Sequence, residues 1–410
     1  MSLASDVAAR GGALASPGFR WFVAAIVFHS LGFWVADVGQ RWLVQELTAS
    51  PFFVGLIGFS GNVPMLLFSL PGGVVADRVD RVRLIAISRS FGGVLTLLLA
   101  ALTAMGLAEV WHVVIYALAL GTMFSIEVPS RQALFPSLVS RHQIMHAVAV
   151  TSAIWSGSTV VGPAVAGIVI TTVGIPGCFF VTAALQVVAV VCFLRVGRYQ
   201  SVEANSREHE HPWTAFRSGV DYVRGHEAIL GLLVLGLLTV FFGQSAGFAL
   251  LPSFAADVLK GDATTFSMLV TAMGAGGLLA NVALSMQAHA SRKGRWALGM
   301  ALGVGLALLA FGMAGSLASA MVVLFVIGVL ISGVMTLIGT LIQAYVSEGM
   351  RGRVMSAYSL CWGSSSFGAL AFGALGSVVG IPFALAAGGA LMLAAALMVV
   401  AKIPSIARLD

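Results

Sequence analysis

Long apolar blocks separated by short polar turns run along almost the whole chain. Each block has about 20 residues, the length that an α-helix needs to cross roughly 30 Å of hydrocarbon at about 1.5 Å per residue. Apolar and polar residues do not alternate within the blocks, so helices are favoured over a lipid-facing β-barrel. The pattern predicts twelve membrane-spanning helices, at residues 20–45, 52–75, 84–105, 110–135, 144–170, 175–196, 228–252, 263–288, 296–316, 319–343, 354–377 and 381–402.

The composition supports a membrane protein. Hydrophobic residues make up 59% of the 410 residues and charged residues only 9%, against roughly a quarter in soluble proteins. The first block is too long for a cleaved signal peptide and is interpreted as a retained span. We expect an all-α membrane protein with a six-helix bundle at 1–196, a cytoplasmic linker at 197–227 and a second six-helix bundle at 228–410.

The linker contains an amphipathic segment. In "PWTAFRSGVDYVR", Trp213, Phe216, Val220 and Val223 recur at helical spacing, and the charged residues lie off that stripe. This pattern predicts a helix on the cytoplasmic surface of the membrane.

The distribution of positive charge predicts the orientation. The net charge is +6, and all but two of the 22 Lys and Arg residues, Arg41 and Lys260, fall in or beside the segments that are cytoplasmic when the N-terminus is inside. This asymmetry is the positive-inside rule. It places both termini in the cytoplasm and explains the charge without a nucleic-acid partner.

Residue types that often bind metals lack the spacing of a metal site. Cys178, Cys192 and Cys361 lie inside apolar blocks, as small core residues do. In "REHEH", His209 and His211 have no further ligand cluster, so a solvated loop is the better interpretation. No phosphate-binding loop is present, which argues against ATP as the energy source. We expect no metal and no cofactor.

The two halves share an internal repeat. At an offset of 207 residues Trp155 aligns with Trp362 and Ser158 aligns with Ser365. Further matches are Gly121 with Gly328, Leu134 with Leu341, Val139-Ser140 with Val346-Ser347, and Ser152 with Ser359. A parallel repeat of this kind predicts a six-plus-six transporter.

The densest group of charges lies between the second and third spans, in "PGGVVADRVDRVRLIAI" at 71–87. On charge alone it is a solvated cytoplasmic turn. Its form resembles the G-x-x-x-D-R-x-x-R-x-R signature of the major facilitator superfamily, with Asp80 where glycine is commoner. The matching residues are Gly73, Asp77, Arg78, Arg81 and Arg83. The resemblance implies a latch, in which Asp77 caps a helix of the opposite half and holds the outward-facing state, with Glu127 and Arg131 in the same cluster.

The resemblance extends over the whole chain. Segments such as "EVPSRQALFPSLVSR", "VVGPAVAG" and "RGRVMSAYSLCWG" resemble the transmembrane secretion effector branch of that superfamily, which includes bacterial enterobactin exporters. The fifth-span "GSTVVGPAVAG" is similar to the glycine-proline signature of superfamily antiporters through Gly162, Pro163 and Gly167, although Ser158 replaces a glycine. Helix packing and a specific antiport role both remain open for this motif.

Ionisable residues inside a membrane are costly and are therefore candidates for function. Asp37 and Arg41 are one turn apart in the outer half of span one, His29 lies about two turns inward, and Glu127 is near the inner end of span four. We predict that Asp37 couples transport to protons or contacts the substrate, with Arg41, Glu127 and His29 as further candidates for proton coupling. The structural alternatives are that Asp37 and Arg41 only neutralise each other, and that Glu127 only holds Arg131.

Aromatic and amide residues at plausible depths would suit a bulky, lipophilic or aromatic substrate better than a sugar. Most single aromatic residues in such a protein serve packing. The candidates for the substrate cavity are Trp34, Trp155, Phe241, Phe242, Gln244, Gln343, Tyr358 and Trp362.

The sequence thus predicts a monomeric secondary transporter of the bacterial cell membrane that exports a drug, siderophore or other metabolite and is driven by proton antiport. An uncoupled facilitator or a lipid or nutrient transporter is the alternative. An enzyme is disfavoured because no catalytic constellation gathers at one membrane depth. A sensor would need a soluble output domain. The expected partners are a small-molecule substrate, protons and membrane lipids.

Overall fold

The structure is a computed structural model that describes residues 12–199, 212–287 and 291–410, with the backbone alone at 69–78, 141 and 212–216. Throughout this described part the regular structure is helical. The helices are α1 (Pro17–Thr48), α2 (Pro51–Arg78), α3 (Arg81–Ala104), α4 (Val110–Leu134), α5 (Ile144–Val173), α6 (Ile175–Val196), α7 (Pro212–Arg224), α8 (Glu227–Val258), α9 (Ala263–Met286), α10 (Lys293–Gly312), α11 (Leu317–Tyr345), α12 (Glu348–Gly363), α13 (Ser365–Val379) and α14 (Ile381–Lys402).

The predicted membrane-spanning helices are present, with one difference. Within the described residues, 11 helical segments are long and apolar enough to cross a membrane. The predicted eleventh span, 354–377, consists of α12 and α13, which meet at a turn at Ser364. Each of these two helices alone is shorter than a full span, since a crossing needs about 20 residues. The chain is a multi-pass membrane protein.

Two turns show the internal repeat at backbone level, at a spacing of 206 residues, one fewer than the offset of the other matches. Gly174 ends α5 and Gly380 ends α13, both with φ 87°. Each glycine is followed by Ile-Pro, and the proline occupies the first turn of the next helix. A positive φ favours glycine and proline suits the start of a helix, so the same three residues make the same turn in both halves.

The chain forms two compact units, one of Met1–Leu43 and Pro64–Ser206, the other of Val44–Val63 and Arg207–Asp410. These bounds differ from the predicted bundles in placing Val44–Val63 with the second unit. The predicted division at residues 197–227 therefore remains a prediction.

In the first unit α3 packs against both α4 and α6. One end of this unit has an apolar core in which the rings of Phe22 and Phe193 pack edge-to-face, with ring centroids 6.0 Å apart. Ile85 and Leu134 complete this core from α3 and α4. Burial of large apolar side chains is the main source of its stability.

In the second unit α10 packs against both α11 and α14. These contacts correspond to those that α3 makes with α4 and α6 in the first unit. The start of α2 also belongs to this unit. A Cβ added to Gly373 would lie 2.9 Å from the Cα atom of Gly55, so the two helices approach through glycine. Close approach through small residues is typical of membrane helices.

The predicted linker helix is present as α7, and it packs against α12. Arg353 donates from Nη1 to the Ser218 hydroxyl at 2.8 Å. Val223 is buried, as the predicted apolar stripe requires. Trp213 and Phe216 are among the residues whose side chains are not described, and His209 and His211 lie outside the described residues.

Candidate functional site: two buried charge clusters in the first unit

Buried charge is concentrated in the first unit. Among the described residues, the charged side chains that are almost fully buried are Asp37, Arg41, Arg89 and Glu127, and all four belong to the first unit. His29 is buried with them. These residues form two separate clusters with different charge balance.

The first cluster is the Asp37–Arg41 pair, one turn apart on α1. Arg41 donates from Nε to both carboxylate oxygens of Asp37, at 3.1 and 2.9 Å. Gln40 donates from Nε2 to Asp37 Oδ1 at 3.1 Å, and its own amide oxygen is buried without a hydrogen-bond partner. The pair is electrically balanced, and both residues lie in one unbroken helix.

The second cluster, called here the Arg89 cluster, consists of His29, Arg89, Glu127 and Arg131. Arg89 of α3 donates from Nη2 to Glu127 Oε1 of α4 at 2.5 Å, and it also contacts both ring nitrogens of His29. Arg131, one turn after Glu127, places Nη1 at 3.9 Å from the same carboxylate oxygen. Three helices therefore contribute to this cluster.

The Arg89 cluster has a surplus of positive charge. Two guanidinium groups share one carboxylate, and a guanidinium has no acceptor atom. A ring nitrogen of His29 that faces Arg89 must therefore accept, which requires a neutral imidazole. Arg89 Nε and Arg131 Nη1 are buried without a hydrogen-bond partner. The arrangement carries one net positive charge and unused donors.

Aromatic side chains border the Arg89 cluster. The rings of His29 and Trp155 are 6.4 Å apart. Phe33 packs on Trp155 at 5.6 Å and on Phe124 at 5.9 Å. Phe33 is 37% exposed, so this aromatic wall, defined as Phe33, Phe124 and Trp155, reaches the surface of the unit.

Arg89 was not among the predicted site residues. It was counted with the positive charges in or beside the cytoplasmic segments. In the structure Arg89 is 8% exposed and lies in the third turn of α3. The available signal was an arginine inside a span, which is expensive in a membrane unless it has a partner.

Comparison with known proteins identifies the family. The sequence profile of the transmembrane secretion effector family of the major facilitator superfamily matches residues 11–410. The chain belongs to this family. This confirms the resemblance found in the sequence, and because the family consists of transporters, it also confirms that the chain is not an enzyme.

Similar proteins in this superfamily have names that refer to transport. The staphyloferrin A transporter of Staphylococcus aureus is 27% identical over 65% of this chain and 66% of that protein, just under two thirds of its length. The enterobactin exporter EntS of Shigella boydii is 27% identical over 82% of this chain and 80% of that protein.

Solved structures support the fold. A POT family transporter in complex with 5-aminolevulinic acid has a TM-score of 0.74 at 13% identity, covering 95% of this chain and 97% of that one. A bacterial homolog of the human lysosomal transporter Spinster has a TM-score of 0.70 at 13% identity, covering 95% and 96%. At this identity the likeness shows the fold alone, and it agrees with the predicted major facilitator fold.

The superfamily signature between α2 and α3 is described only in its second part. The turn is short, since α2 ends at Arg78 and α3 begins at Arg81. Asp80, the departure from the family pattern, caps α3 by accepting the Arg83 backbone N–H at 2.9 Å. Arg81 donates to the Ala133 carbonyl near the end of α4 at 3.3 Å. The side chains of Gly73, Asp77 and Arg78 are outside the described set.

The glycine-proline motif of α5 lies at a tight contact with α1. Gly162, Pro163 and Gly167 are buried. A Cβ at Gly162 would lie 3.3 Å from Trp34 Cγ, so a larger residue would displace that tryptophan. Ser158, which replaces the family glycine, makes a 2.7 Å hydrogen bond to Ser30 of α1. These contacts support a packing role for the motif.

The predicted substrate residues fall into both units. Trp34 and Trp155 belong to the first, and the others to the second. Phe241 and Phe242 lie in a π-helical stretch of α8, with ring centroids 6.4 and 6.3 Å from Phe372. Such stretches often occur at functional sites.

The remaining candidates in the second unit differ in exposure. Gln244 ends the π-helical stretch, and its amide oxygen is buried without a partner. Tyr358 donates to the Met335 carbonyl at 2.9 Å. Trp362 is 38% exposed and Gln343 is also exposed.

Elsewhere the described residues include no group of three or more His, Cys, Asp and Glu that could hold a metal ion. The three cysteines are buried inside helices as free thiols, as expected for small core residues.

Proposed function

We propose that the protein is a secondary active exporter of a lipophilic or aromatic small molecule, driven by proton antiport with alternating access. Family membership supports membrane transport, and the names of the staphyloferrin A and enterobactin transporters favour a drug, siderophore or other metabolite as substrate. The observation that carries the proton coupling is the Asp37–Arg41 pair, a buried ion pair inside a membrane-spanning helix. Such residues commonly mark ion pathways.

The position of the pair restricts how it could respond to protons. Asp37 and Arg41 lie on one unbroken helix, so movement of α1 as a body does not separate them. Separation requires side-chain rotation. A protonated Asp37 gains an O–H donor, and the unpartnered amide oxygen of Gln40 is the neighbouring acceptor. We therefore propose that a proton moves Asp37 from Arg41 towards Gln40.

Other parts of the cycle remain predictions. The latch of Asp77 with Arg78, Arg81 and Arg83 would stabilise the outward-facing state, and Arg81 supports it by joining α3 to the end of α4. The positive-inside asymmetry supports cytoplasmic termini and an inner-membrane location. A monomer surrounded by lipid agrees with the broad apolar surface of the helices.

Transport into inside-out vesicles with an acidic lumen tests the proposal. The probes are three radiolabelled compounds of one size and shape: 1-naphthoate, 1-naphthalenemethanol and 1-naphthylmethylamine. At least one should accumulate with the gradient. Asp37→Asn should abolish accumulation and retain downhill exchange, because the amide keeps the shape of the carboxylate without its titration.

Asp262→Asn is the matched control, since Asp262 is an exposed residue at the start of α9. It should accumulate the probe like the parent protein. Transport that is independent of the gradient would instead support the alternative, an uncoupled facilitator.

A further inference from the structure

We infer that the Arg89 cluster is the recognition site for an anionic group of the substrate, a carboxylate or phenolate carried on an aromatic body. The inference rests on the proposed export of an aromatic molecule and adds the charge of that molecule. It assigns Arg89 and Arg131 to substrate binding and leaves proton coupling to Asp37.

The first argument is charge balance. Glu127 compensates only one of two arginines, and a buried charge without a partner is strongly destabilising. Arg89 and Glu127 are nearly inaccessible, with side-chain exposures of 9% and 2%. A bound anion would bring the cluster to neutrality, whereas a cation would double its imbalance.

The second argument is the set of unused donors. Arg89 already donates to Glu127 and His29, yet its Nε has no partner. Arg131 Nη1 also has none, since 3.9 Å from Glu127 is too long for a hydrogen bond. Guanidinium groups pair best with planar, two-oxygen anions such as carboxylates. The donors thus specify the chemistry of the missing acceptor.

The third argument is access and shape. Arg131 is more exposed than its partners, at 16% of its side chain, so the cluster is least enclosed on the side of Arg131. The aromatic wall is continuous with the cluster through the contact of His29 with Trp155. Flat apolar rings pack well on such a wall. An aromatic acid fits both features, with its ring on the wall and its carboxylate at the arginines.

Binding to the purified, detergent-solubilised protein tests the inference. By titration calorimetry, 1-naphthoate should bind at least about tenfold more tightly than neutral 1-naphthalenemethanol, as expected for one charge-assisted hydrogen bond. Arg131→Gln should weaken naphthoate binding about tenfold and leave the alcohol unchanged. Arg131→Lys should be intermediate, because it keeps the charge but not the planar fork.

Arg131 is the suitable position because its loss leaves the Arg89–Glu127 pair balanced. Thermal unfolding verifies that Arg131→Gln is folded. Arg195→Gln is the matched control, since Arg195 is exposed and lies over the Trp21 ring at 5.5 Å. It should bind both probes like the parent protein.

Three results would overturn the inference. Equal affinity for the acid and the alcohol would show that the site does not distinguish an anion from a neutral molecule. The proposed export of an aromatic molecule would still stand. Competition by chloride at equal concentration would assign the surplus charge to an inorganic ion. Absence of binding by all three naphthalene probes would reject the aromatic substrate and the anion site together.

Discussion

The two compact units share a scaffold but differ in chemistry. Both halves pack corresponding helix pairs and both use a Gly-Ile-Pro turn. Yet at the offset of 207 residues each member of the two buried clusters of the first unit corresponds to an uncharged residue. These are Gly236 for His29, Gln244 for Asp37, Phe248 for Arg41, Trp296 for Arg89, Val334 for Glu127 and Ile338 for Arg131.

The difference shows how a repeated fold can divide its work. In the described part of the second unit the buried polar side chains are Ser, Thr and Gln, with no buried ionic group. That unit has instead two π-helical stretches and the Phe241, Phe242 and Phe372 rings. We propose that the first unit senses charge and that the second supplies apolar contact.

The largest expected effect comes from making the first unit resemble the second at Glu127. Glu127→Val leaves Arg89 and Arg131 buried without an anion and should cost about 3–5 kcal/mol of stability. Adding Arg131→Ile, which completes the residue pair of the second unit, should restore part of this loss. Denaturant unfolding in detergent measures both. Val334→Ala is the control, with the smaller cost of a core truncation, and an equal loss there would contradict the prediction.

The next effect concerns transport. A gradient of one pH unit is worth about 1.4 kcal/mol and can sustain about tenfold accumulation in one-for-one antiport. Asp37→Asn should lose this accumulation. Gln244→Leu, at the corresponding position, should retain the ratio between uptake with and without the gradient. If both variants lose gradient-driven accumulation, or if both retain it, the proposed difference between Asp37 and Gln244 is contradicted.

A smaller effect is expected at two helix caps, one in each unit. Asp80 and Asp262 each accept a backbone N–H at 2.9 Å, from Arg83 and Thr265. Replacement of either by Ala should cost about 1 kcal/mol. Loss of a cap should be seen as faster amide hydrogen exchange in the first turn of α3 or α9. Exchange rates that match the parent protein in both helices would contradict a capping role.

The cap at Asp262 should also depend on pH. The backbone N–H of Thr265 lowers the pKa of this carboxyl below its ordinary value, since it stabilises the ionised form. A folded-state pKa below the unfolded one means that the stabilisation is present above the unfolded pKa. It is lost as the pH falls through the folded pKa. Exchange measured from neutral pH down to acid should show α9 fraying at low pH.

The smallest effect is expected at Ser158. Ser158→Ala removes the hydrogen bond to Ser30 and should cost about 0.6 kcal/mol, the usual value between membrane helices. Ser365→Ala at the corresponding position should cost less, because Ser365 takes part through its backbone carbonyl. A larger loss of stability for Ser365→Ala than for Ser158→Ala in denaturant unfolding would contradict this prediction.

Much of this organisation follows from sequence, because span length and charge asymmetry are properties of local composition. The Asp37–Arg41 pair was also predictable, since four residues on a helix fix their proximity. Arg89 was not, because its partners come from other helices. Asp80 and Ser158 looked like departures from family patterns, and the structure gives each a hydrogen bond of its own.

The surplus positive charge of the Arg89 cluster has an electrical consequence. A carrier loaded with one anion at this cluster is neutral there, whereas the empty carrier holds one positive charge inside the membrane. A membrane potential acts on that charge with about 2.3 kcal/mol per 100 mV for a full crossing. With the cell interior negative, the field would draw the empty site towards the cytoplasm. The voltage would then help to reset an anion exporter after each release, and the return without substrate, with a proton on Asp37, would be the step that generates current.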